Sequence, residues 1–168
     1  NVRDWLYVGD HCAAIRAVRR DLSGDWQPDG GRIDRDAAGK PTGLFIDNAM
    51  LLTIARRIQA LLDRADVDGV VVTHGTDTLE ETAYFLNLVL DSAKPVVIVG
   101  AMRPATALSA DGPLNLLNAF RLAVCPEAAG KGVLVMLNDR IGAARHVTKT
   151  HTTATNAFFA AEQGSLGE

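Results

Sequence analysis

The stretch 67–90, VDGVVVTHGTDTLEETAYFLNLVL, decides what kind of fold the rest of the chain must join. Val70-Val71-Val72 is β-branched and apolar at every position, and reads as a buried strand. It breaks at Thr73-His74-Gly75-Thr76-Asp77-Thr78, a run of small or polar residues. Leu79, Ala83, Leu86 and Leu90 then recur three or four apart, which places them on one face of a helix. A hydroxyl-rich turn between strand and helix is where an open α/β sheet builds its ligand site. This turn supplies threonine hydroxyls, a carboxylate and the amides of a helix start within a few residues.

Working outward, Asp47 and Asn48 are N-cap residues for a helix running to about Asp63. Its apolar positions Leu51, Ile54, Ala55, Ile58, Leu61 and Leu62 form one stripe, with Arg56, Arg57 and Gln59 away from it. On the other side, Lys94-Pro95 introduces Val96-Val97-Ile98-Val99, a second strand apolar on both faces, as in a parallel sheet covered by helices. Gly100-Ala101-Met102-Arg103-Pro104 opens a Ser/Thr/Ala-rich loop, and Asp111-Gly112-Pro113 starts a helix through Leu114, Leu117, Ala119, Leu122 and Ala123. After the turn Gly130-Lys131-Gly132, Val133 to Leu137 is a third strand, and Asn138-Asp139-Arg140 turns into Ile141-Gly142-Ala143-Ala144. Helix and strand alternate throughout. The expected fold class is α/β, a three-layer Rossmann/flavodoxin-like domain with a mainly parallel sheet, incomplete in this chain, its right-handed crossovers putting helices on both faces. No GxGxxG dinucleotide fingerprint and no phosphate loop occurs.

An apolar content of 48% is enough for a core, yet no apolar run approaches the roughly 20 residues of a membrane span. A net charge of -3 with mixed signs argues against a nucleic-acid surface, and the basic cluster Arg16, Arg19, Arg20 is balanced by Asp21 and Asp25. Cys12 and Cys125 can form one bridge or stay as separate buried thiols. In the first 45 residues, Trp5 to Val8 reads as a short strand and Cys12 to Leu22 carries a helical pattern through Ala13, Ile15 and Val18. Ser23 to Gly43 is turn-rich, with Asp29-Gly30-Gly31 and Gly39-Lys40-Pro41, and reads as short edge elements or irregular loop. The start at Asn1 and the last residues, GSLGE, suggest a processed or partial copy of a longer chain, and neither end resembles a signal peptide.

Thr76 and Asp77 are the strongest candidates for chemistry. A threonine hydroxyl becomes a nucleophile or proton relay only with a basic group beside it. Asp77, at the mouth of a buried strand, can bind a substrate ammonium; equally, Asp77 or Thr78 can cap the next helix, with Glu80 and Glu81 in its first turn. Lys149, in His146-Val147-Thr148-Lys149-Thr150, is a surface charge or, if it reaches the Thr76 turn, the acceptor of that hydroxyl's proton. His11, His74, His146 and His151 have no metal-type spacing, neither HExxH nor CxxC occurs, and no metal or cofactor is expected. His74 fixes the Gly75 turn by hydrogen bonding. Arg103 and Asp111 bracket the loop after the second strand, where they line the same cleft or form a salt bridge that steadies the loop.

Thr73 to Thr78 followed by Glu80-Glu81-Thr82-Ala83 resembles the second signature of bacterial L-asparaginases, the threonine amidohydrolases, in their periplasmic type II branch. The resemblance runs on through Lys94-Pro95-Val96-Val97, Gly100 to Pro104, Ser109-Ala110-Asp111-Gly112-Pro113-Leu114-Asn115, Asn138 to Ile141, and Ala144-Arg145 to Thr150. It covers about residues 50–168 and divides the chain into an atypical segment, 1–47, and a partial asparaginase-like α/β N-terminal domain, 48–168. The family's smaller C-terminal domain has no counterpart. The resemblance implies hydrolysis of the L-asparagine side-chain amide to L-aspartate and ammonia, with weaker action on L-glutamine. It also implies a homotetramer and a periplasmic or secreted location, a cytoplasmic one being the alternative. It puts Thr76 in a triad with Lys149 and Asp77, and gives Asp77 and Thr76 to substrate binding.

Other family features are missing. The attack is generally assigned to a threonine in a TGGTIA-like motif near the N-terminus, and no such motif stands here. Gly43 falls where a carboxylate-binding serine is expected, and Ser92 where one cysteine of the family's disulfide is expected. Residues 24–50, especially Pro28 to Ile33 and Gly43 to Met50, resemble instead a stretch of the metal-dependent urea and imide amidohydrolases. Half a site is therefore expected, with negligible turnover by this chain alone. The alternative is a catalytically silent amino-acid-binding or assembly domain of the same fold.

Overall fold

The computed structural model describes residues 14–18 and 48–168. Trp5 to Val8, Cys12, Ser23 to Gly43 and Asp47 lie outside the described residues. Three strands form the centre of the sheet: β2 (Gly69–Thr73), β3 (Val96–Val99) and β4 (Val133–Leu137), all parallel, with Val70 beside Val96 and Val96 beside Val133. Every residue of these three strands is buried, which is why their sequences are apolar without alternation. Two antiparallel edges flank them. On one side β1 (Ala14–Val18) pairs with β2, Ala14 opposite Thr73. On the other, β5 (Arg140–Ala143) returns along β4. Asn138 and Asp139 form the two-residue turn between β4 and β5 with φ of 52° and 58°, the left-handed pair that a tight hairpin requires. The helix expected over Cys12 to Leu22 is thus corrected to a strand at Ala14–Val18: a short run with four apolar residues in five fits either period, and backbone pairing with β2 decides it.

Helices α1 (Asn48–Leu62) and α2 (Leu79–Val89) lie on one face of the sheet. Ile54, Ala55, Ile58 and Leu62 of α1 and Leu79, Ala83 and Leu86 of α2 pack there against Val70, Val72, Val96, Ile98, Val133 and Val135. Helix α3 (Gly112–Ala123) covers the opposite face, where Ala119, Leu122 and Ala123 meet Val71, Val97, Val99, Leu134 and Met136. Period-two alternation along each strand serves both cores, and each fully buried Val, Ile or Leu contributes about 1.5–3 kcal/mol. Three layers result, an open α/β sheet of Rossmann/flavodoxin-like type.

The stripe expected on α3 is rotated. Leu114 and Leu117 are 50% and 47% exposed, and the buried face is Gly112, Asn115, Ala119, Leu122 and Ala123. Small residues on that face let the helix lie close to the sheet, a constraint that hydrophobicity alone does not encode.

The strand order is β1-β2-β3-β4-β5, so each strand neighbours the one before it in sequence. The crossovers β2–α2–β3 and β3–α3–β4 therefore step across the sheet in the same direction. Two right-handed crossovers stepping the same way would put α2 and α3 on one face. They occupy opposite faces, so one of the two is left-handed, which corrects the expectation of right-handed crossovers throughout. Adjacent strands whose connections leave to opposite faces open a crevice at their carboxyl ends. In this strand order that position is at the carboxyl ends of β2 and β3.

Long polar side chains fasten the layers. Lys94 donates from Nζ to the carbonyls of Leu62 (2.6 Å) and Arg64 (2.5 Å), closing the C-terminal end of α1. Gln59 bridges to the backbone of Asp91 in both directions. A small ribbon of β6 (Thr148–Lys149) and β7 (Phe158–Phe159) follows β5, and the tail lies along the edge, Ile141 and the segment Leu166–Gly167 exchanging backbone hydrogen bonds. Cys125 is a free thiol whose Sγ–H donates to Glu127, while Cys12 lies outside the described residues. Among the described residues, no helix is long and apolar enough to cross a membrane.

Candidate active site

The turn after β2 is built from the strand outward. His74 extends the ladder by one bond, its N–H donating to the Val99 carbonyl at 2.8 Å. Its buried ring turns back, with Nδ1 2.6 Å from the Gly75 carbonyl oxygen. A carbonyl only accepts, so Nδ1 carries the proton. This is the turn-fixing bond expected for His74. Thr76 follows, 1% exposed, and then Asp77, whose side chain is 52% exposed. Thr78 holds the N-cap position of α2 but makes no side-chain cap bond.

Lys149 arrives from β6. Its Nζ stands 3.1 Å from Thr76 Oγ1 and 3.1 Å from Asp77 Oδ1, with only 15% of the side chain exposed. The backbone of the same residue is gripped by Glu80 on the first turn of α2, whose carboxylate accepts the Lys149 N–H. Beyond it the ribbon holds the segment in place: Lys149 pairs with Phe158, and Thr150 donates to the Ala157 carbonyl from its N–H (2.7 Å) and its Oγ1 (2.9 Å). The three candidate residues Thr76, Asp77 and Lys149 thus meet in one place.

Gly100, at the end of β3, forms the floor of the crevice. A Cβ there would come within 2.8 Å of the His74 carbonyl oxygen and 3.1 Å of Thr76 Cγ2, so only glycine lets β3 run this close to the turn. Arg103 and Asp111 do not pair as their bracketing suggested. Arg103 donates to Ser109, to its carbonyl at 2.9 Å and its Oγ at 2.7 Å. The Asp111 carboxylate accepts the N–H groups of Met102 (3.0 Å) and Arg103 (2.9 Å), folding the loop against the start of α3. Their work is to shape the crevice wall. Of the remaining histidines, His146 is exposed, His151 Nδ1 accepts the N–H groups of Thr153 and Ala154, and His11 lies outside the described residues. Gly43 lies outside them too. Among the described residues no group of three or more His, Cys, Asp or Glu is arranged to hold a metal.

Two residues were illegible beforehand. Glu80 looked like an ordinary helix-start acid, because a favourable macrodipole explains any Glu there. Asn115, 2% exposed, ties three elements together: Nδ2 donates to the Gly100 carbonyl (3.1 Å) and to Asp111 (3.2 Å), and Oδ1 accepts the Asn138 N–H (3.0 Å). A polar residue on the sheet-facing side of α3 was the available signal.

A hydroxyl within hydrogen-bonding distance of an amine can pass a proton to it. When Lys149 is an ammonium it donates to Thr76 Oγ1, and the Thr76 proton points elsewhere, toward a ligand. When it is a neutral amine it accepts that proton. Asp77, its side chain half in solvent, sets a carboxylate beside the Lys149 amine.

Comparison with known proteins places the chain in a family. The family "Asparaginase, N-terminal" matches residues 43–168. L-asparaginase 2 of Bacillus subtilis (strain 168) is 66% identical over 122 residues, 73% of this chain and 32% of that protein. The glutaminase-asparaginase of Acinetobacter glutaminasificans is 56% identical over 122 residues, 73% of this chain and 37% of that one. A probable periplasmic L-asparaginase of Haemophilus influenzae is 52% identical over 122 residues, 73% of this chain and 34% of that protein. The crystal structure of a probable cytoplasmic L-asparaginase from Campylobacter jejuni superposes with a TM-score of 0.69 at 55% identity, covering 71% of this chain and 37% of that one. The chain spans about a third of the length of the curated relatives it matches. Periplasmic and cytoplasmic proteins both occur among them.

Proposed function

Because this chain belongs to the asparaginase family, we propose that the protein hydrolyses the side-chain amide of L-asparagine to L-aspartate and ammonia, with L-glutamine as a weaker substrate. The observation that carries the proposal is the placement of Lys149 Nζ 3.1 Å from Thr76 Oγ1, at the mouth of the crevice. Asp77 takes the substrate's α-ammonium on its exposed carboxylate. Thr76 contacts the substrate and relays a proton to and from Lys149, so that ammonia leaves protonated and water can complete the hydrolysis. The Asp77 contact keeps the lysine pointed inward.

The attacking hydroxyl belongs, by the family resemblance, to a glycine-rich threonine motif that these 168 residues do not contain. A proton relay without its nucleophile can orient and polarise an amide but cannot split the acyl transfer into two easier steps. This chain by itself accordingly binds the amino acid weakly and turns it over negligibly, and that absent motif also favours a second reading, a silent binding or assembly domain. The working form is a homotetramer in the periplasm or outside the cell, a cytoplasmic location being the alternative, with 48–168 forming the family's α/β domain and 1–47 an atypical segment.

Ammonia release from L-asparagine, measured on the full-length protein and on this chain alone, tests the proposal. Turnover by the full-length protein that Lys149→Met abolishes supports the hydrolase. Undiminished turnover in Lys149→Met, or ordinary enzymatic rates from the isolated chain, overturns it.

A further inference from the structure

We propose that Glu80 is a positioning residue for Lys149: its carboxylate, by accepting the Lys149 backbone N–H, sets the distance between the lysine amine and Thr76. The inference rests on the proton-relay role given to Lys149 above. It adds a residue that touches no substrate, and a reason why that relay depends on the first turn of α2.

Lys149 is held at both ends by consecutive parts of one short stretch. The amine meets Thr76 and Asp77, and the backbone amide meets Glu80, three residues further on. A lysine side chain carries several freely rotating bonds and loses considerable entropy on being fixed. Anchoring its Cα relative to the turn that its amine must reach removes much of that freedom in advance. The β6–β7 ribbon cannot do this alone, because β6 and β7 are only two residues each and pair with one another and not with the main sheet. Glu80 is the bond that ties the Lys149 backbone to the helix following β2.

The anchor is itself well seated. Glu80 lies in the first turn of α2, where the helix macrodipole favours a carboxylate. Its neighbours Leu79, Thr82 and Ala83 are buried, so the backbone from which Glu80 projects is packed down on the domain interior. Glu81, next to it and exposed, has the same dipole benefit, and the contacts place only Glu80 on the amide. What the site needs from Glu80 is an acceptor at a fixed place. A glutamine carbonyl oxygen supplies the same acceptor without the charge, whereas alanine supplies none.

Glu80→Ala, Glu80→Gln and Lys149→Met in the full-length protein, assayed for ammonia release and for amide hydrogen exchange around residue 149, test the proposal. Displacing a reacting group by about 1 Å costs on the order of a hundredfold in rate. Glu80→Ala is expected to lower kcat by about tenfold to a hundredfold with KM within about twofold, and to speed exchange at the Lys149 amide, while Glu80→Gln restores most of both. If Lys149→Met is inactive but Glu80→Ala keeps wild-type kcat, the positioning role is wrong and the relay stands. If Lys149→Met stays active, the relay itself fails and the proposal falls with it. Equal losses in Glu80→Ala and Glu80→Gln would show that charge, not the backbone bond, is what matters, and would also overturn it. Global exchange protection, compared between variants, separates these outcomes from simple unfolding.

Discussion

Lys149 Nζ and Thr76 Oγ1 lie 3.1 Å apart although 73 positions of sequence separate them. Between the two run α2, β3, α3, β4 and β5, and the contact exists because the segment after β5 carries the β6–β7 ribbon back to the turn that follows β2. A contact assembled from two distant segments is sensitive to either one.

Removing the amine is therefore the most direct intervention. Lys149→Met preserves the stem of the side chain and deletes its charge and donors. Steady-state ammonia release by the full-length protein should fall by about 10²–10⁴-fold, the usual contribution of a positioned acid or base, with the circular-dichroism spectrum unchanged.

In the proposed function Asp77 serves binding more than chemistry. Its carboxylate is half in solvent, where an α-ammonium can approach, and a hydrogen bond to a charged partner contributes about 1.5–3 kcal/mol. Asp77→Asn should raise KM for L-asparagine by about tenfold to a hundredfold, and isothermal titration should show the same loss of affinity.

Gly100 tests the tightness of the crevice floor. A methyl group there meets the backbone oxygen of His74 at 2.8 Å, and backbone cannot move aside as a flexible side chain can. Gly100→Ala should destabilise the protein by about 1–3 kcal/mol, read as a shift in urea midpoint at constant m. Activity should drop further than stability predicts, because the displaced atoms belong to the turn that carries Thr76.

Glu127 provides a pH-dependent signal remote from the crevice. The Cys125 thiol donating to its carboxylate, with help from its own backbone N–H, holds Glu127 below the usual carboxylate range. A depressed carboxyl pKa gives stability that is present above the unfolded value and is lost as pH falls through the folded one. Cys125→Ala removes the main cause, so the Glu127 carboxyl resonance should titrate at higher pH by NMR. Full exposure of the group means that the midpoint of acid unfolding should hardly move.

The parts of this architecture legible from sequence are those where one physical cause dominates. Val70 to Val72, Val96 to Val99 and Val133 to Leu137 are apolar without alternation because both faces of the sheet are covered, and each proved a central strand. The α1 stripe is amphipathic, and Ile54, Ala55, Ile58 and Leu62 point where periodicity said. Where two causes compete the pattern misleads. Ala14 to Val18 suits a helix or an edge strand equally, and Leu114 and Leu117 give way to Ala119, Ala123 and Asn115 because close approach and a buried amide outrank hydrophobicity. The turn at Thr73 to Thr78 announced its residues by type. What periodicity and composition could not supply was the partner: the pairing of Lys149 with Thr76 came from the family resemblance, and nothing about Glu80 distinguishes it from Glu81.

The monotonic strand order has a bearing on how the molecule comes to exist. From β1 to β5, every strand docks beside the one made just before it, so the sheet can be laid down plank by plank at a single advancing margin as synthesis proceeds. Thr76 and its hydroxyl are in place early in that progression. The amine that faces it comes from a ribbon made after the last plank, so the contact between the two forms only once the margin has stopped advancing.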